Sequence, residues 1–463
     1  MERISGNFRE DCAALDALLG AGVNYDLITR AVAPGAHRGR IWCIDGYADD
    51  QTMERILAFW LSLPRDAAAQ DAADFVARFV SFNEVIREQR MDALVTHVLA
   101  GKLLLLVEGF SEGILLDAKE YPSRGVEEPG DSQVLRGAHD GFVETLVRNT
   151  ALLRRRIRDP RLRLESLQLG EKSHTDVVIA YLAGEADETL LQELREKLRA
   201  LAPRSFSMGQ ESVAEALRQG QWYNPLPRVR YTERPDVASA CVLEGDILLL
   251  IDNSPSVMLL PTALPDFLQE ANDFYFPPLV GSYLRLVRLA VILLSLVITP
   301  VWYLLARAPE ALPAALRFLA VEGDYAVPLF WQLLLVEFLV DVLKLASLNT
   351  PNVLSNSFSM LGALILGDFA VQARWMVPEV LVYMAFVAIA GFAQPSYELS
   401  YAVKLCRMLL LAAAALFGWW GFAAGAALAL LITVTTRPIL GRSYLRPRRG
   451  FSLLRRSIRR DNT

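Results

Sequence analysis

The sequence predicts an α+β cytoplasmic region of two mixed α/β subdomains followed by an all-α multi-pass transmembrane domain, and three observations carry that prediction. Charge is sorted along the chain: residues 1–274 hold 30 Lys/Arg against 43 Asp/Glu, residues 275–436 hold eight of each, and residues 437–463 hold nine Arg against one Asp. A composition of 53% hydrophobic and 21% charged residues is too apolar for a disordered chain and too charged for one embedded throughout, so the average hides two regions. Short strand-like runs alternate with helical periodicity up to residue 274, and helix-length apolar runs follow. Four parts result: subdomains over 1–120 and 121–274, a transmembrane helical domain over 275–436, and an arginine-rich tail over 437–463.

In the first subdomain, helical spacing covers residues 8–19, 50–63 and 87–99, with strands at 40–44, 102–107 and 113–116. The turn-rich stretch 121–131 opens the second subdomain. Residues 141–157 read as an amphipathic helix whose closing Arg154, Arg155, Arg156 and Arg158 suit the negative end of the helix dipole, and Pro160 stops it. Strands at 162–169 and 175–182, a helix at 188–201 and a strand pair at 246–251 and 256–260 follow, the last two joined by Asp252-Asn253-Ser254-Pro255, which is turn chemistry.

A membrane-crossing helix needs about 20 largely apolar residues to span a hydrocarbon core about 30 Å thick. Residues 289–306 carry no formal charge and follow Arg285 and Arg288, which retain their end on the cytoplasmic side. Residues 408–436 are uncharged and contain Gly418, Trp419, Trp420 and Gly421 at their middle, which favours two short helices over one long one. Weaker segments at 327–346, 358–373 and 378–392 bring the total to six, the last two of these short enough to form a re-entrant hairpin. The arginine tail places the C-terminus inside, and the first 30 residues contain no apolar run of signal-peptide length, so both termini are expected in the cytoplasm. Arg446, Arg448 and Arg449 in that tail either meet anionic lipid headgroups, at about 1 kcal/mol per basic residue near the surface, or only set orientation.

The sequence holds no GxxxxGK[ST] or GxGxxG phosphate loop and no HExxH, its GxSxG string at Gly109–Gly113 joins two strand-like runs and so is not the strand-to-helix elbow, and its four His and four Cys share no ligand spacing. The expectation is a protein that is not an enzyme and needs no cofactor, with reduced thiols and no basic footprint for nucleic acid.

Polar chemistry inside the apolar block is the more informative signal. Glu337, Asp341 and Lys344 are spaced i, i+4 and i+7, so they share one stripe of a helix. Ionised groups there either line an ion or solute route, pair with arginines of neighbouring helices, Arg285, Arg288, Arg374 or Arg407, or belong to an amphipathic helix lying along the membrane surface. Ser396, Glu398 and Ser400 follow the helix-breaking Pro395 at alternate positions and form a second candidate for the route, or else a polar turn. Arg124, Glu127, Glu128, Arg154, Arg155, Arg156 and Arg158 form a candidate cytoplasmic interface, with salt bridging from the arginines to Glu127 and Glu128 as the plainer reading. Small residues such as Gly362, Gly391, Gly421 and Gly425 would let helices or subunits approach closely.

Several of these stretches resemble a known family. YPSRGVEEP from Tyr121, Arg136-Gly137, GFVETL from Gly141, Asn149, RRRIRDP from Arg154, YTERPD from Tyr231, Glu244-Gly245 and PSYELS from Pro395 are similar to the A-subunit (GerA) family of bacterial spore germinant receptors, over about residues 25 to 446. Ala138 departs from the proline that many members carry after Arg136-Gly137. The resemblance implies a multi-pass protein of the spore inner membrane acting in germination as a homo-oligomeric channel for monovalent cations, together with a second membrane subunit. It implies no catalytic residue. A secondary transporter and a non-conducting scaffold for receptor assembly remain the competing classes, the former without the internal repeat it would require.

Overall fold

The computed structural model of the protein describes residues 3–47, 50–82, 84–118, 138–201, 209–218, 223–270, 272–311, 313–321, 325–349, 370–441 and 443–445. The chain divides into two units: Met1–Gly220, Val229–Thr262 and Ile439–Gly441 form one, and Gln221–Arg228, Ala263–Pro438 and Arg442–Thr463 form the other.

The first unit contains two five-stranded antiparallel sheets. One is built from α1 (Phe8–Leu19), β1 (Leu27–Val32), β2 (Gly39–Ile44), α2 (Asp50–Ser62), α3 (Ala72–Phe79), β3 (Val85–Glu88), α4 (Met91–Leu99), β4 (Leu103–Val107) and β5 (Gly113–Leu116), with strand order β1-β2-β4-β5-β3. The sequences LLLLV and GILL of the central strands do not alternate because both faces are covered. Leu104, Leu106 and Leu115 pack with Leu15, Leu19, Leu94 and Val98 of α1 and α4, while Leu103, Leu105, Ile114 and Leu116 pack with Trp60, Phe75 and Phe79 of α2 and α3. Helix α1 ends where the sequence predicts, at Gly20, whose φ of 70° a side-chain-free residue adopts without strain.

The second sheet is built from α5 (Leu146–Arg156), β6 (Leu162–Leu169), β7 (Thr175–Leu182), α6 (Glu188–Ala200), α7 (Gln210–Leu217), β8 (Arg230–Thr232), α8 (Pro235–Leu243), β9 (Ile247–Ile251) and β10 (Val257–Leu260), in the order β6-β7-β9-β10-β8. Helices α5 and α8 cover one face, and α6, α7 and the returning residues Ile439 and Leu440 cover the other.

Two expected helices are shorter than their periodicity. The pattern over 87–99 splits because Val85–Glu88 pairs with β5, and Glu88 then accepts the Gln89 and Arg90 amides at 2.9 Å each, which turns the chain into α4. The pattern over 141–157 yields a helix only from Leu146. The Asn149 side chain holds the Val143 amide at 2.8 Å and its carbonyl at 2.5 Å, and the Asn253 amide takes the Glu144 carbonyl at 2.9 Å, so residues 143 and 144 are committed outside the helix.

Residues 24–26 tie the sheets together. Asn24 accepts the Leu164 amide of β6 at 2.9 Å, and Tyr25 meets the Thr150 hydroxyl of α5 at 2.7 Å. Asp26 receives Arg154 in a bidentate pair at 2.5 and 2.9 Å, with both side chains at most 1% exposed. The thiols of Cys12 and Cys43 are unpaired in disulfides and buried, and burial pushes them up to about 11 and about 12, which keeps them protonated and unreactive.

In the second unit, α9 (Asn272–Tyr275) leads into α10 (Pro278–Ala306), followed by α11 (Leu329–Asn349), α12 (Pro378–Phe392) and α13 (Tyr397–Thr435). Among the described residues, α10 and α13 are the two helices long and apolar enough to cross a membrane by length and composition. Helix α13 breaks at Gly418 (φ 62°, ψ −142°) and doubles back, as the sequence favours. A Cβ on Gly421 would lie 1.9 Å from the Ala413 carbonyl oxygen, and one on Gly425 would lie 3.1 Å from Leu410, so the glycines permit the close approach of the two arms. Gln332 is fully buried and joins α11 to the start of α12, giving its amide to the Val327 carbonyl at 2.6 Å and accepting the Val377 amide at 2.9 Å. The expected segment at 358–373 lies, up to residue 369, outside the described residues.

Asp26→Ala should destabilise the first unit by about 3–5 kcal/mol, because it strands the buried Arg154 guanidinium, and Asp26→Leu with Arg154→Met should recover most of the loss; denaturant unfolding of the three proteins measures both. A pH dependence also follows. Burial alone would raise the Glu165 carboxyl, but hydrogen bonds from Arg195 and Tyr181 outweigh it and hold the group below its ordinary 4.5. A depressed carboxyl stabilises the fold above pH 4.5 and loses that contribution as pH falls through its folded value. Melting temperature against pH should therefore show an acid limb that is shallower in Arg195→Met.

Candidate functional site

Apolar helices α10, α11 and α13 bring five ionisable side chains together. Glu337, 7% exposed, accepts Arg407 Nη2 at 2.6 Å and lies 3.2 Å from Lys404 Nζ. Lys404 also pairs with Asp341, one turn along α11 from Glu337. The second arm of Arg407 donates to the Ser295 carbonyl of α10 at 3.2 Å, so one guanidinium joins three helices. Lys344 stands over the rings of Phe392 and Tyr401, with its Nζ 4.8 and 5.5 Å from their centroids.

The sequence spacing explains the assembly. Glu337, Asp341 and Lys344 fall on one stripe of α11, and Lys404 and Arg407, spaced i and i+3, fall on the facing stripe of α13. Glu337, Lys344, Lys404 and Arg407 line a cavity of about 20 Å³, room for one water-sized particle, whose wall includes Ser400 and Gly391. A Cβ on Gly391 would lie 3.2 Å from Ser400 Oγ and 3.5 Å from Lys344 Nζ, so the glycine leaves the polar groups their space. Oδ1 of Asp341 has no hydrogen-bond partner among the described residues.

The cluster gathers some of the predicted route residues and separates others. Glu337, Asp341, Lys344 and Ser400 converge, and of the four arginines foreseen as partners Arg407 is the one in the cluster. Arg285 and Arg288 instead pair with Asp273, and Arg288 with Glu270, at the start of α10. Ser396 caps α13, accepting the Leu399 amide at 3.2 Å, and therefore does not face the cavity. Glu398 acts on Tyr444, whose phenol is pushed up by burial and further by that carboxylate, while Arg228 opposes the shift. Lys404 is a member that the sequence reading missed. It lies just before the uncharged run that begins at Met408, and the opposite-sign pairs 337/341 and 404/407 on two apolar stretches are the signal that marks it.

Of the candidate interface, Arg154 is spent on Asp26 and Arg156 pairs with Asp140 at 2.5 Å, whereas Arg155 and Arg158 are exposed. Arg124, Glu127, Glu128, Arg446, Arg448 and Arg449 lie outside the described residues. Among the described residues no group of three or more His, Cys, Asp or Glu is arranged to hold a metal ion.

Comparison with known proteins assigns the chain. Residues 14–461 match the model of the Bacillus/Clostridium GerA spore germination protein family. The protein belongs to the GerA family. Among similar members, stage V sporulation protein AF of Bacillus subtilis is 35% identical over 93% of this chain and 87% of its own length, in keeping with the stretches at 222–239 and 253–257, which most resemble that protein. Spore germination protein KA of the same organism is 27% identical over 93% of this chain and 80% of its own. The crystal structure of the N-terminal domain of the A subunit of the Bacillus megaterium spore germinant receptor GerK3 is 23% identical, covering 56% of this chain and 96% of that one with a TM-score of 0.43.

In this GerA-family chain, Glu337→Ala should destabilise the helical unit by about 3–5 kcal/mol, because it leaves Arg407 buried without its carboxylate, and Glu337→Gln should cost less by keeping one hydrogen bond. Thermal unfolding of the detergent-solubilised protein measures the order of the two variants.

Proposed function

We propose that this GerA-family protein is a multi-pass protein of the spore inner membrane, with both termini cytoplasmic, and that copies of it assemble with a second membrane subunit into a channel for monovalent cations during germination. The observation that carries the reading is the charge cluster of α11 and α13, centred on the buried Glu337–Arg407 pair and tied to α10 through the Ser295 carbonyl. Ionised side chains are costly in an apolar environment and are found there facing a bundle interior or a path for charge.

The geometry sets conditions on that path. A cavity of about 20 Å³ within one chain admits one water, so continuous conduction needs walls supplied by neighbouring copies or by the partner subunit. For a cation to pass, Glu337 and Asp341 must exchange Lys404 and Arg407 for the ion, which makes the displacement of α13 relative to α11 the gating movement. The arginine tail, beginning with the exposed Arg437, would hold the assembly to anionic lipid headgroups.

The matching of both carboxylates by cations of the same chain favours one competing reading, a scaffold that holds receptor subunits together and conducts nothing. Potassium efflux from liposomes containing the purified protein, alone and with its partner subunit, separates the two. The channel reading expects efflux that changes in Asp341→Ala and Glu337→Ala while membrane insertion is retained. Co-purification with receptor subunits and no efflux under any of these conditions would establish the scaffold instead.

A further inference from the structure

We infer that two aromatic girdles bound the helical unit, that lipid covers the apolar band between them, and that the Glu337–Arg407 pair lies halfway through that band. The inference rests on the membrane reading above but not on ion conduction. Exposed Trp331, Trp375, Trp419 and Trp420 gather at one end of the helices, and exposed Tyr283, Tyr397 and Tyr401 at the other. Three contacts define the tryptophan end: Gln332 accepts the Val377 amide at 2.9 Å, the rings of Tyr303 and Phe330 lie 6.3 Å apart, and Arg307 reaches the Ala415 carbonyl at 3.5 Å. At the tyrosine end, Ser400 donates to the Gly391 carbonyl at 3.2 Å, Lys344 stands over Phe392 and Tyr401, and Ile292 packs with Leu399.

Tryptophan and tyrosine join an apolar body to a polar tip, so they concentrate where hydrocarbon meets water. On the first arm of α13, Tyr397 and Phe417 are twenty residues apart, about 30 Å at about 1.5 Å per residue, and the same interval separates Tyr283 from Tyr303 on α10. A hydrocarbon core has that thickness, about 30 Å. Between the girdles, the exposed side chains of Leu293, Phe338, Val382, Ile389, Leu409 and Leu430 are apolar on all four helices. Arg285 and Arg288, which enter the band next to Tyr283, are neutralised by Asp273 and Glu270. Arg407 is ten residues from both Tyr397 and Phe417, about 15 Å from each, so its pair with Glu337 stands at the depth where a charge without a partner is least tolerated.

Depth-dependent fluorescence quenching tests the placement. A nitrobenzoxadiazole probe is attached to Leu293→Cys, Leu409→Cys, Tyr397→Cys or Trp420→Cys in the full-length protein, with Cys241 and Cys406 replaced by serine and the buried Cys12 and Cys43 retained. The protein is reconstituted into phosphatidylcholine vesicles whose lipids carry a nitroxide in the headgroup or at the end of the acyl chain. At positions 293 and 409 the chain-end nitroxide should quench at least twofold more than the headgroup nitroxide, and at 397 and 420 the order should reverse. The same order at all four positions, headgroup quenching dominant at 293 or 409, or no quenching there by either lipid, which would mean that protein covers the band, overturns the inference. Each of those results, in protein that floats with the vesicles, leaves the membrane reading standing; failure to float removes both, and none of them bears on ion flux.

Discussion

Arg407 bonds Glu337 and the Ser295 carbonyl at once, and the arrangement of the helical unit depends on that contact. Removing a charge from water costs several kcal/mol per ion, and only close opposite charges with further hydrogen bonds offset it. Once Arg407 lies on α13 and Glu337 on α11, the rotation of each helix about its axis is fixed, because any other rotation leaves one of them among apolar side chains without its partner. Lys404 adds Asp341 one turn away and fixes the relative height of the two helices as well. Leu333, Val380, Met384, Leu411 and Ala414 then pack in the one register that this alignment allows.

The first unit obeys the same rule with different components. Asp26 and Arg154 are buried between two sheets whose cores are otherwise apolar, and the residues beside Asp26 spend their polar groups on the second sheet and its helix. A pair of this kind adds little net stability compared with well-packed hydrophobic side chains, yet it penalises wrong docking heavily. Both units therefore gain specificity of arrangement from ion pairs that the surrounding leucines and valines could not supply.

Periodicity made legible those elements whose burial is one-sided or complete. Phe8–Leu19 and Pro378–Phe392 have the boundaries that the sequence suggests, and β6 and β7 match throughout. The unread elements are those whose pattern is set by partners distant in sequence. β1 is an edge strand with a mixed exposure pattern, LITRAV, and α8 starts at Pro235 inside a stretch whose Arg234 is buried against Asp236. At the candidate site, the α11 stripe could be read because its spacing is local. The identity of its partners depends on how three helices are rotated against one another, and no local spacing encodes that rotation.

Gly418 has a consequence for how the two arms assemble. With Gly421 and Gly425 seated against Ala413 and Leu410, neither arm of α13 has a complete surface until the other is beside it. The facing surfaces of the two arms are therefore completed only together, and a bulky residue at 421, which would meet the Ala413 carbonyl, holds them apart however well each arm forms alone.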